Sequence, residues 1–110
     1  MKKRIFKFPP QVKQRPRMTR RGRVFTPAKT LEFEAKVAKA WRFKPIEGDV
    51  IVEIWLSKDT FTVSVDSYNK DTITKLRGDI DNYVKAILDG LNGVAFVDDK
   101  YIRELIVIKD

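Results

Sequence analysis

The residues best able to do chemistry lie in one stretch, residues 78 to 100, which reads GDIDNYVKAILDGLNGVAFVDDK. Asp79 and Asp81 open a helical pattern, and Asp98-Asp99 follow a short apolar run after it. A strand-turn segment that folds back would return the second acidic pair towards the first. Clustered carboxylates repel one another unless a cation joins them, and Mg²⁺ favours a few carboxylate oxygens plus water. A plainer account uses the same residues. Aspartate at a helix start caps free N–H groups and meets the positive end of the helix dipole. Asp98-Asp99-Lys100 is ordinary turn composition. Asp81, Lys85 and Asp89, at four-residue steps, also suit a solvated salt-bridge ladder, worth only about 0.3–0.5 kcal/mol per pair.

The elements that must position these groups follow from periodicity. Ile80, Tyr83, Val84, Ile87, Leu88 and Leu91 recur at spacings of three and four, predicting an amphipathic helix that Asn92-Gly93 ends. Residues 101 to 108, rich in Ile, Leu and Val, read as a largely buried strand. Upstream, residues 3 to 8 alternate as a strand, which Pro9-Pro10 closes. Thr26-Pro27 opens a helix reaching residue 41 or 43, with Phe33, Val37 and Trp41 on its apolar stripe and Leu31, Ala35 and Ala38 widening it. Residues 50–56 and 61–65 alternate as two strands of a hairpin. Residues 66 to 77 are polar and read as a loop centred on Asn69-Lys70-Asp71. The order β-α-β-β-α-β predicts an α+β fold: a single-domain α/β sandwich over residues 1–110, two helices packed on a mixed β-sheet.

Cysteine and histidine are both absent. This removes disulfides, thiol nucleophiles, imidazole bases and Cys/His zinc sites, leaving carboxylates, lysines, hydroxyls and metal-activated water. No apolar run approaches a membrane span and no signal-peptide pattern opens the chain, so a cytoplasmic protein without membrane partners is expected. The net charge is +8, but its distribution says more. Residues 1–30 hold eleven of the 23 basic side chains and no acid, leaving twelve basic against fifteen acidic residues in the remainder. A basic block beside a mildly acidic body points to a polyanion partner, although such a block also serves as a solubilising arm. Residues 11–25 have no clear period and read as a basic surface loop. Its Lys13, Arg15, Arg17, Arg20, Arg21 and Arg23 are candidates for phosphate contacts.

Two segments resemble the RusA family of Holliday junction resolvases, the crossover junction endodeoxyribonucleases. Residues 15 to 27, RPRMTRRGRVFTP, followed by Lys29-Thr30, resemble its basic segment and helix opening. Residues 79 to 99 resemble its D-[IL]-D-N-x-x-K-x-x-x-D-x-L…D-D signature, with Gly78 where proline is expected. That glycine should loosen the approach to the helix. The hairpin and loop of residues 57–77 carry no likeness.

The resemblance implies a homodimeric, Mg²⁺- or Mn²⁺-dependent endonuclease that cuts four-way DNA junctions in recombination and repair, with no small-molecule cofactor. It implies that Asp79, Asp81 and Asp99 are the essential acids and metal ligands, with Asp98 as the alternative to Asp99. Lys85 matches a catalytically important lysine, placed to stabilise charge on the phosphate or to neutralise its acidic neighbours. Asn82 would orient a ligand or phosphate, or bond locally as a first-turn residue. Asp89, two turns from Asp81, would stand behind the ligands or be solvated rather than act in catalysis. Two other functions remain: a basic architectural DNA-binding protein with no catalysis, and a branched-DNA nuclease of looser preference.

Overall fold

The computed structural model describes residues 1–14, 16–68 and 74–110, residue 17 by its backbone alone. The expected loop centre at residues 69–71 lies outside the described residues. The fold is α+β, and the chain divides into two compact units, Met1–Asn69 and Lys70–Asp110.

The first unit contains β1 (Lys2–Phe6), β2 (Arg17–Met18), β3 (Val24–Phe25), α1 (Ala28–Trp41), β4 (Val50–Leu56) and β5 (Phe61–Ser67). The alternating runs at 50–56 and 61–65 do form a hairpin, in register from Val50↔Ser67 to Leu56↔Phe61. Its turn closes where the Ser57 N–H donates to the Thr60 carbonyl at 3.0 Å. β1 adds to the far edge of β5, from Lys2↔Val65 to Phe6↔Phe61, giving the order β1-β5-β4. Every pairing in this sheet is antiparallel, which corrects the expected mixed sheet. A tight turn joins β4 to β5 and can only produce antiparallel neighbours.

The core is aromatic. Phe6 and Phe61 are directly opposed across the ladder, and their rings stack at 4.6 Å between centroids. Phe8 meets Phe61 edge-on at 5.4 Å, and Phe33 of α1 lies 5.8 Å from Phe61. Trp41, the last residue of α1, stacks on Phe6 at 6.4 Å. These contacts seat α1 on one face of the sheet. The stripe it buries is narrower than expected: Phe33, Val37 and Trp41 are half-buried, whereas Leu31, Ala35 and Ala38 stay exposed. Pro27 holds the cap position of α1, and its φ of −57° suits the entry to a helix. β4 is an edge strand exposed along its whole length.

The second unit contains α2 (Ile80–Leu91) and a single 3-10 turn at Asp99–Tyr101. Gly93, at φ 79°, takes the left-handed conformation expected just past α2. The predicted strand at residues 101–108 is not formed. Tyr101 completes the 3-10 turn, and residues 102–110 join no ladder among the described residues. Leu105, Ile106 and Ile108 are exposed rather than buried. A β-rich composition records fitness for a pleated surface, but a strand exists only where another strand takes up its N–H and C=O groups. The chain end is instead tied to the approach to α2. Lys109 Nζ donates to the Gly78 carbonyl at 3.0 Å, and Thr74 Oγ1 to the Asp110 carbonyl at 2.8 Å.

Candidate functional site

The acidic helix starts where its pattern predicts. Asp79 sits at its cap position in an extended conformation, and its carbonyl accepts from Asn82 N–H at 3.1 Å and Tyr83 N–H at 3.3 Å. Its carboxylate makes no capping bond, so the purely structural account of this residue loses its main support. Asp81 lies in the first turn, where the helix dipole favours a negative charge. Asp79, Asp81, Asn82 and Lys85 are all exposed. No ion pair joins Lys85 to Asp81 or Asp89; the pairs recorded among the described residues are Met1–Asp66 and Lys13–Glu34. The salt-bridge ladder is therefore not formed, and Lys85 is uncommitted one turn beyond Asp81.

Gly78 behaves otherwise than expected. Its N–H donates to the Tyr83 hydroxyl at 3.0 Å, and its carbonyl accepts from Lys109. A Cβ there would lie 2.8 Å from the Tyr83 ring. Far from loosening the approach, this glycine lets the tyrosine fold back and fasten it, through a donor that proline lacks.

The second acidic pair has a different environment. Asp98 Oδ1 accepts from Lys100 N–H at 3.1 Å, capping the 3-10 turn. Asp99 is exposed, and its carboxyl is held above its ordinary value of 3.8. The first cause is a hydrogen bond with Asp98, followed by partial desolvation and repulsion from Asp98 and Asp89, while Lys100 N–H opposes the shift. Asp89 is thus an electrostatic neighbour of Asp99. Asp81 and Asp89 are separated by two turns, about 12 Å of helix rise. The acids fall into a pair at the start of α2 and a group near its far end, and among the described residues no three of them gather tightly enough to hold one ion. Their chemistry fits a hard divalent cation, since all are exposed oxygen donors. Their positions do not make a single cage.

The basic segment is more ordered than a loop. β2 and β3 pair as a ribbon, Arg17↔Phe25 and Met18↔Val24. Its turn is held by Thr19 N–H to the Arg23 carbonyl at 2.8 Å, and by Arg23 N–H to Thr19 Oγ1 at 3.0 Å. Gly22, at φ 81°, supplies the left-handed residue. Arg20 and Arg21 occupy the turn, exposed, with Arg23 beside them. The signal for this hairpin is present in Thr19-Arg-Arg-Gly22, between residues able to form short strands. Lys13 pairs with Glu34 at 3.2 Å, so it is less available to a phosphate than the turn arginines. Arg15 lies outside the described residues. Gln14 N–H donates to the buried Thr30 Oγ1 at 3.3 Å, anchoring the segment to α1.

A solvent-facing arginine ribbon and an acidic, lysine-bearing helix are the two parts expected of a protein that acts on nucleic acid. The family model for endodeoxyribonuclease RusA matches residues 7–110. The chain belongs to the RusA family of endodeoxyribonucleases, enzymes that hydrolyse DNA. No curated protein and no solved structure matches it. Among the described residues no helix is long and apolar enough to cross a membrane.

Proposed function

We propose that this protein is a divalent-metal-dependent endonuclease that resolves four-way DNA junctions by paired symmetric nicks, as a cytoplasmic homodimer serving recombination and repair. The observation that carries the reading is the family match over residues 7–110, and the uncommitted carboxylates at the start of α2 support it. Asp79 and Asp81 at the start of α2, and Asp99 with Asp98 as its alternative, are the proposed ligands, acting as two separate groups rather than one cage. Mg²⁺ or Mn²⁺, when bound, supplies Lewis-acid neutralisation of the phosphate and activation of water.

The chain's own contributions follow from placement. Lys85, on the same helix face as Asp81 and one turn beyond it, offers its ammonium to a non-bridging phosphate oxygen as negative charge develops there. Asn82 orients the phosphate or a carboxylate from the first turn. Arg20, Arg21 and Arg23 bind flanking phosphates, with Lys13, Arg15 and Arg17 contributing along the backbone. A symmetric junction needs two cuts, which two copies related by a two-fold axis provide.

A labelled four-way junction incubated with the protein and Mg²⁺ should yield nicked duplexes. Asp81→Asn should abolish cutting while junction binding is retained. Normal cutting by that variant would sink the site assignment, and binding without cutting by the unmodified protein would support an architectural role. Equal cutting of linear duplex would indicate looser preference. Sedimentation showing only monomer at micromolar concentration would remove the homodimer.

A further inference from the structure

We infer that the Met18–Val24 pair on the basic ribbon is an apolar wedge that enters the base stack at the branch point of the DNA. The inference rests on the reading of the protein as a branched-DNA nuclease and assigns a role to residues that phosphate contact does not use. Met18 and Val24 are directly opposed across the β2–β3 ladder, so their side chains share one face of the ribbon. Each is exposed, Met18 by 69% and Val24 by 63%. The register places Phe25 on the other face. A two-stranded ribbon this short buries little surface of its own, so an outward apolar pair adds no more than the roughly 0.2–1 kcal/mol of one cross-strand contact.

What surrounds the pair identifies its occupant. Arg20 and Arg21 form the turn immediately beyond it and Arg23 flanks Val24, while no acidic residue occurs anywhere in residues 1–30. That field repels a cationic partner and draws a polyanion, so the apolar surface that reaches this pair is the bases of a nucleic acid. Methionine and branched aliphatic side chains serve as wedges between base steps, and insertion is least costly where stacking is already interrupted. A branch point is such a place. The arginines would hold the flanking phosphates while the pair fills the opened step, making the ribbon a reader of branching rather than of sequence.

The test uses a four-way junction carrying 2-aminopurine beside the crossover, titrated with the full chain without divalent metal so that nothing is cut. The unmodified protein should raise the fluorescence as the base unstacks. The double variant Met18→Ser, Val24→Thr should lose this rise and its preference for junction over linear duplex. Its affinity for linear duplex should be unchanged, and circular dichroism should show an intact fold, since both positions are solvent-facing. A variant that raises the fluorescence as the unmodified protein does would overturn the wedge. So would an unmodified protein that binds and, with Mg²⁺, cuts the junction without any rise. Failure of the unmodified protein to bind the junction at all would instead overturn the nuclease reading beneath it.

Discussion

Replacing Phe61 by alanine should be among the most damaging single truncations in the sheet. Phe6 and Phe61, 1% and 5% exposed, are the buried apolar residues among those described, and Phe61 touches the rings of Phe6, Phe8 and Phe33. Truncating a buried phenylalanine costs about 3–5 kcal/mol from lost transfer energy and the cavity left behind. Collapse of the half-buried Phe8 and Phe33 rings into the space would keep the value near the lower end. A protein of this size has about 5–15 kcal/mol in total, so roughly a fifth to three fifths of its stability goes with one ring. Its melting temperature should fall by roughly 12–20 °C. The control is Ile54→Thr on the exposed edge strand β4, which keeps β-branching and should change stability by no more than about 0.5 kcal/mol. Urea unfolding followed by circular dichroism measures both. If Phe61→Ala costs less than about 1 kcal/mol, or no more than Ile54→Thr, the aromatic cluster does not organise the first unit.

Other consequences are independent of that cluster. Arg20→Ala with Arg21→Ala should weaken DNA binding on any sequence and reduce the slope of log K against log salt by about two, read by anisotropy across a salt series; an unchanged slope would remove the ribbon turn from the phosphate contacts. The raised pKa of Asp99 means that the folded state keeps this proton where the unfolded chain has released it. Its ionisation therefore destabilises the fold as pH rises above the ordinary value of 3.8 and through the raised one. Asp99→Asn should melt at a higher temperature than the unmodified protein near neutral pH without metal, with the gap closing below about pH 4; a gap that widens in acid would contradict the cause given. Gly78→Pro should lower rather than raise stability, by about 0.5–1.5 kcal/mol for the lost bond to Tyr83, as thermal melts would show.

Both helices, the hairpin of β4 and β5, and the glycine stop after α2 were legible because each rests on local pattern. Apolar spacing of three and four, strict alternation, and a residue able to take positive φ are properties of a few neighbouring residues. The basic ribbon escaped because its strands are two residues long, too short for a period to register; only Thr19 and Gly22 mark its turn. Gly78 was misjudged for a related reason. Its role depends on the Tyr83 side chain folding back from the helix it precedes, and nothing in the order of residues records that.

By itself the sequence determined the chemistry on offer: carboxylates and one lysine at helical spacing, arginines massed before the first helix, and no thiol or imidazole to compete with them. Those are matters of residue type and covalent order. Tertiary structure alone decided how these groups are shared out. Asp99 finds Asp89 as a neighbour, and the apolar chain end is fastened by Lys109 to Gly78 instead of entering a ladder. Strand pairing and carboxylate proximity are distances between segments far apart in the chain, set by which edges and charges meet when the molecule closes.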